Sequence, residues 1–164
     1  MLVQLRCSRF PRSWIRQIVT EARAILYNYH FKFDDLSTLL NFLSMASDHV
    51  RSAITHIEVS VYKKSVAVPA FSLLATCTSL IRLHLATGVG CNATPSKAAK
   101  AFFQDAARFM VAVGRRMDKK DAAMDIVRFG RSAKCFSVKE GDETRVWDDA
   151  EKQEFEALLK AKLQ

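Results

Sequence analysis

Six polar side chains alternate with apolar residues in three short segments that recur at an interval of 26 residues. Such alternation is typical of β-strands that bury one face and expose the other. In the register that this interval implies, the polar side chains form two rows across neighbouring strands, which lie about 4.8 Å apart. Imidazole titrates near pH 6.5, so the rows predict a partner-binding surface that responds to pH near neutrality, with a solvated sheet face as the alternative. The first row is His30, His56 and Arg82, and the second is Lys32, Glu58 and His84.

Basic residues form a second group, whose chemistry would be electrostatic contact with nucleic-acid phosphates. The chain carries a net charge of +8, and residues 97–139 hold 11 Lys and Arg against 4 Asp. Residues 140–164, by contrast, hold 4 basic against 8 acidic residues. A segregated basic surface is typical of nucleic-acid binding, whereas lysines interleaved with Asp118 and Asp121 are also typical of a solvated turn. The nucleic-acid candidates are Arg115, Arg116, Lys119 and Lys120, with Arg9, Arg12 and Arg16 in addition.

Motifs for catalysis, cofactors and metals are not recognisable in the sequence. The turn at residues 88–90 lacks the third glycine of a phosphate-binding fingerprint, and no nucleophile elbow of the G-x-S-x-G type occurs. The four cysteines are scattered, with no CxxC pair and no histidine at zinc-ligand spacing. We therefore expect a protein that is not an enzyme and uses no cofactor or metal.

The cysteines and the hydropathy pattern also bear on location. Unpaired, scattered cysteines favour a reducing, intracellular compartment, either cytoplasm or nucleus. The first 20 residues contain four arginines and no acid, which leaves organelle targeting as an alternative. No apolar run approaches the roughly 20 residues that a membrane helix needs, so we expect no membrane association.

The elements that position the polar rows are predicted from apolar periodicity. Residues 10–29 read as an amphipathic helix, and residues 30–33, 55–61 and 81–85 read as strands. Between the strands, one helix is expected to begin at an Asp34 N-cap and to extend to Val50, and a shorter helix is expected over residues 69–75. Parallel strands joined by helices form right-handed crossover units. Because the strands alternate instead of being apolar throughout, we expect helices on only one face of the sheet.

The sequence thus predicts a single domain over residues 1–164. Residues 1–29 form its N-terminal helix, residues 30–87 its three-strand repeat core, and residues 88–164 a helical, basic C-terminal part. Within that core we expect Ile57 and Leu83 to be neighbours and almost fully buried.

In the C-terminal part, Thr94 followed by proline predicts the start of a helix that ends at Gly114. Residues 114–121 read as a charged connection, and residues 130–146 as a loop. Residues 124–129 favour a fourth strand, with Val127 on the face opposite Met124 and Ile126, and a short helix is the alternative. A last helix is expected at Asp148, which forms a capping box with Glu151; its buried residues are expected to be Phe155, Leu158 and Leu159.

The spacing of apolar residues resembles leucine-rich repeats. The match is carried by Leu74-x-x-Cys77-x-x-Leu80-x-x-Leu83-x-Leu85 and, in shorter form, by Ile54-x-x-Ile57-x-Val59. It implies an α/β, leucine-rich-repeat-like stack of strand-helix units, with a short curved parallel sheet of three to four strands.

A wider resemblance covers the chain from about Ile18 to Gly130. It is carried by the segments ARAILYNYHFKFDDLSTLLNFL, ITHIEVSV, CTSLIRLHL, TPSKAAKAFFQDA and VGRRMDKKDAAMDI. These segments resemble a class of uncharacterised F-box-like proteins of filamentous fungi that carry degenerate leucine-rich repeats. The chain departs from that class at CSRFPRSWIRQIV, where an F-box would open with an LPxEL-type motif. The resemblance therefore implies the repeat fold and a role in binding a protein or peptide, without implying a ubiquitin-ligase adaptor activity.

Overall fold

A computed structural model describes residues 30–130, 134–140 and 143–164. The helix predicted over residues 10–29 lies outside the described residues. Four strands form a parallel sheet in chain order. They are β1 (His30–Asp35), β2 (His56–Val61), β3 (Arg82–Leu85) and β4 (Val127–Phe129).

Helices connect each strand to the next, which confirms the predicted alternation of strands and helices in an α/β fold. Helices α1 and α2 follow β1, α3 follows β2, and α4 and α5 follow β3. A two-stranded antiparallel hairpin and a C-terminal helix, α6, complete the described structure. The bounds are α1 (Leu36–Met45), α2 (Asp48–Ala53), α3 (Lys64–Leu74), α4 (Pro95–Met117), α5 (Ala122–Ile126), β5 (Ser137–Glu140), β6 (Glu143–Val146) and α6 (Asp149–Leu163).

The register of the first three strands follows the 26-residue interval. His56 pairs with His30 on one side and with Arg82 on the other. Glu58 likewise lies between Lys32 and His84. Both predicted rows of polar residues are therefore present in the sheet.

The two faces of these strands differ in burial, as their alternation predicts. Ile57, Val59, Leu83 and Leu85 are completely buried in the hydrophobic core. Ile57 and Leu83 are paired on adjacent strands, which confirms the predicted core contact. The polar residues between them are exposed or half-buried, so the strands separate a dry face from a hydrated one.

The dry face is covered by helices that pack on one another in series. Helix α3 contacts both α1 and α4, and α4 contacts α6. Phe71 of α3 is central to this layer, because its ring meets Phe102 edge-on at 5.6 Å and lies 5.8 Å from Phe109. Aromatic pairs in such geometries add to the stabilisation that burial alone provides.

The predicted helix over residues 34–50 is wrong in two respects. Asp34 belongs to β1, and the N-cap is Asp35, whose Oδ1 accepts a hydrogen bond from the Thr38 backbone N–H at 2.8 Å. The helix also ends at Met45, and a separate helix, α2, begins after an N-cap at Ser47. A capping side chain satisfies helix N–H groups that lack a backbone partner, so Ser47 favours a new helix start.

The helix predicted over residues 69–75 and the strand predicted over residues 81–85 also begin at other residues in the structure. Helix α3 begins at Lys64 and contains Pro69 as an interior residue, instead of beginning there. Strand β3 begins at Arg82, and the preceding Ile81, expected on the buried face, is 62% exposed. The Ile81 N–H donates to the Thr55 carbonyl at 2.8 Å, which orients the chain before the strand alternation begins.

Helix α4 extends past its predicted end at Gly114. The helix ends at Met117, and its C-cap, Asp118, has a left-handed φ of 50°, so Arg115 and Arg116 lie in the last turn. Gly114 has a packing role, because a Cβ at this position would lie 3.0 Å from the Lys120 carbonyl oxygen. The glycine thus allows the chain after α4 to fold closely against the helix.

The region predicted as one fourth strand contains a helix and a strand. Residues Met124 and Ile126 are buried in α5, and β4 begins only at Val127. Residues 130–146, predicted as loop, include the β5–β6 hairpin. The last helix is confirmed with its capping box at Asp148, and Phe155 and Leu159 are buried whereas Leu158 is half-buried.

Candidate functional site

Glu58 lies at the centre of the polar sheet face. Its carboxylate is 3.0 Å from Lys32 Nζ, 3.6 Å from His30 Nε2 and 3.7 Å from His84 Nδ1. The hydrogen bond from Lys32 lowers the pKa of Glu58; partial burial opposes that shift, and the charges of Lys32, His84 and His30 support it. Glu58 is therefore ionised at neutral pH and holds together the side chains of three strands.

His56 and Arg82 continue the other row. The rings of His30 and His56 lie 6.3 Å apart in a tilted arrangement, and His56 Nδ1 is 3.0 Å from Thr55 Oγ1. Arg82 is exposed at the far end of this row. The structure thus brings all six predicted residues to one face of the sheet.

Arg128 on β4 extends the second row and was missed by the sequence interpretation. It pairs with His84 on the neighbouring strand and is exposed, whereas Val127 is buried. The predicted strand over residues 124–129 placed Val127 on the face opposite Met124 and Ile126, whereas all three are buried in the structure. Because α5 ends at Ile126, the strand alternation begins anew at Val127, and the phase carried over from Met124 is wrong.

A groove lies between this sheet face and α6. Its volume is about 660 Å³, within the roughly 300–1,000 Å³ that is usual for ligand sites. The sheet contributes His30, Glu58, Arg82, His84 and Arg128, and α6 contributes Lys152, Phe155, Glu156 and Lys160. The 26-residue interval predicted the sheet residues on β1–β3 that form one wall of this groove, and it did not predict the α6 residues that form the other wall.

Aromatic side chains fix α6 beside the sheet. Phe155 of α6 lies 5.2 Å from Phe129 of β4 and 5.2 Å from Phe136. Phe136 stacks on Trp147 at 4.7 Å, and the Trp147 indole N–H donates to the Ala93 carbonyl at 3.0 Å. Phe129, Phe136 and Phe155 of this apolar cluster line the groove.

Of the predicted basic candidates, Arg9, Arg12 and Arg16 lie outside the described residues, and the other four lie at the end of α4 and in the following turn. Arg116 donates to the Cys77 carbonyl at 3.1 Å, and Lys120 donates to the backbone oxygen of Gln164 at 2.6 Å. Lys119 lies 2.7 Å from the Asp125 carboxylate, and this hydrogen bond raises the pKa of Lys119. Three of the four side chains thus contact groups of the protein itself, although all four residues are exposed.

A second cavity of about 350 Å³ lies between α4 and the chain segments that follow β2 and β3. The Tyr62 hydroxyl donates to Asp105 Oδ2 at 2.6 Å beside this cavity. Burial, followed by the hydrogen bond to Asp105, raises the pKa of Tyr62. The phenol therefore remains protonated and links the sheet to α4.

Among the described residues, no group of three or more His, Cys, Asp or Glu side chains is arranged to hold a metal ion. The helices within residues 30–130, 134–140 and 143–164 are all too short or too polar to cross a membrane.

Comparison of the chain with models of protein families, with curated proteins and with solved structures found no match.

Proposed function

We propose that this protein is a non-catalytic interaction module that holds a segment of a partner protein in the groove beside α6. The observation that carries this proposal is the division of β1–β3 into a buried apolar face and a hydrated face of charged and imidazole side chains. The groove of about 660 Å³ between this face and α6 offers such a segment a recess that is lined by both elements. His30, Lys32 and His84 surround the Glu58 carboxylate on this face.

We also propose that the strand-helix units form a leucine-rich-repeat-like stack. In this stack the parallel sheet is short and curved, and helices cover one of its faces. Support comes from the 26-residue interval, from the register that follows it and from the buried Leu80, Leu83 and Leu85. Repeat folds of this kind use an extended concave surface for binding, as the resemblance to fungal F-box-like proteins also implies. An intracellular location is part of this proposal, because Cys77, Cys91 and Cys135 are unpaired.

Nucleic-acid binding through the end of α4 is the weaker candidate. A phosphate contact must compete with the ion pairs that Lys119 makes to Asp121 and Asp125. It must also displace Arg116 and Lys120 from backbone oxygens. We therefore favour the groove as the binding site.

Site-specific photo-crosslinking in cells tests the proposal. A photoreactive amino acid is placed at Arg82 inside the groove, and a matched control places it at Gln104, which is exposed on α4. We expect a reproducible protein adduct from position 82 that position 104 does not give. Equal adducts from both positions, or adducts to nucleic acid alone, would contradict the proposal.

A further inference from the structure

The charged side chains that line the groove differ in whether ion pairs with other side chains already engage them. Its cations are Arg82, Arg128, Lys152 and Lys160, and its carboxylates are Glu58, Asp125 and Glu156. Two of these carboxylates already pair with cations from outside the groove, because Lys32 holds Glu58 at 3.0 Å and Lys119 holds Asp125 at 2.7 Å. Among the groove cations, Lys152 pairs with the highly exposed Asp149. After the hydrogen bond from Lys119, the charges of Arg128 and Lys160 also lower the pKa of Asp125. With four cations against three carboxylates, the groove still offers an excess of positive charge to an incoming ligand.

Arg82 and Arg128 concentrate this charge at one end of the sheet face. They lie on adjacent strands, because β3 pairs with β4. Arg128 donates one hydrogen bond to the Met124 carbonyl at 3.2 Å, which orients its guanidinium. A guanidinium has five N–H donors and binds carboxylates in a bidentate manner, so each arginine can bind one acidic side chain.

We propose that the groove binds an acidic peptide segment of the partner, with its carboxylates on Arg82 and Arg128. This inference rests on the proposed function and specifies the chemistry of the partner. An apolar residue of the same segment would pack on Phe129, which is half-buried and lines the groove between β4 and α6. The occupant is thus a peptide in which acidic and apolar residues are mixed.

The composition of the groove favours a peptide over a nucleic acid. Three carboxylates line it, and a phosphate backbone with its regular negative charge would pass close to all of them. Single-stranded nucleic acids also need aromatic faces for base stacking. Phe129 and Phe155 instead meet edge-to-face, with a ring separation of 5.2 Å and an interplanar angle of 78°.

Fluorescence anisotropy with three labelled probes tests this inference on the full chain. The probes are an eight-residue peptide of alternating Glu and Leu, its counterpart with Gln in place of Glu, and an eight-nucleotide oligothymidine. We expect the Glu peptide to bind at least about tenfold more tightly than the Gln peptide, since a charge-assisted hydrogen bond contributes that much or more. Oligothymidine is expected to bind more weakly than the Glu peptide.

Variants identify the site of binding. R82Q and R128Q are each expected to weaken binding of the Glu peptide by about tenfold. R115Q removes the same charge from an exposed position outside the groove, and we expect a change of less than about twofold. K160Q removes a positive charge from the α6 side of the groove. It takes the place of R128Q as the second groove variant if R128Q alters the fold.

Three results would overturn the inference: equal affinity for the Glu and Gln peptides, tighter binding of oligothymidine, or equal losses from R82Q and R115Q. Absence of binding by the Glu peptide would overturn it as well. Failure of this inference is distinguishable from failure of the proposed function. A protein adduct at position 82 that maps to a segment without acidic residues would contradict only the acidic partner.

Discussion

Replacing Leu83 with alanine tests both the strand assignment and the face assignment. Leu83 lies in β3 with no exposed surface, between Ile57 of β2 and Val127 of β4. The substitution removes three carbons, worth about 0.8 kcal/mol each in transfer free energy, or about 2.4 kcal/mol. The cavity left among rigid neighbours adds to this cost, so we expect a loss of about 3–4 kcal/mol in the free energy of unfolding.

The adjacent residue provides the matched control. The His84 side chain points to the hydrated face, is 32% exposed and lies 3.7 Å from Glu58. Alanine at this position removes a partly exposed contact with the Glu58 carboxylate, and we expect a change of less than about 0.5 kcal/mol.

Urea and thermal denaturation measure both variants. A domain of this size loses about 2–4 °C in Tm for each kcal/mol, so Leu83→Ala should lower Tm by roughly 6–16 °C. The urea midpoint should fall with an unchanged m-value if only stability has changed. Equal destabilisation by His84→Ala would show that the alternation has been assigned to the wrong faces, and the hydrated groove wall would be wrong with it.

Three further predictions concern capping, a buried hydrogen bond and pH. Asp148→Ala removes the side chain that accepts from the Glu151 N–H at 2.8 Å, and it should cost about 1 kcal/mol in urea denaturation. Tyr62→Phe removes the hydrogen bond to Asp105 and should cost about 1–2 kcal/mol, whereas no change would mean that water replaces the hydroxyl. Because the folded-state pKa of Glu58 is lowered, its stabilising contribution is present above its ordinary value of 4.5 and is lost as pH falls below it. The stability difference between the wild type and Glu58→Gln should therefore shrink between pH 7 and pH 3, and a constant difference would contradict the ion pairs.

Local pattern was sufficient to predict much of the sheet. Alternation between polar and apolar residues is a short-range property of a strand, and a constant interval places equivalent residues side by side. The pairing of His56 with Arg82 and of Ile57 with Leu83 therefore followed from the sequence. The capping box at Asp148 was predictable for the same reason, since both of its partners lie within one turn.

The fourth strand shows where local pattern becomes insufficient. Residues 124–129 have apolar residues that fit either a strand or a helix, and in the structure they are divided between α5 and β4. The division is made by packing, because α5 buries Met124 and Ile126 before the chain joins β3. The face on which Arg128 lies depends on that junction and not on the preceding periodicity.

The sequence by itself determined the polar rows, the buried strand faces and the excess of positive charge. Only the tertiary structure decided that α6 stands beside the hydrated face and converts it into a groove with Arg82, Arg128 and Lys160 around it. The contacts responsible join residues far apart in the chain, such as Phe129 with Phe155 and Trp147 with Ala93. A pattern within one segment carries no information about which distant aromatic ring will cover it, so the groove arises from packing among segments.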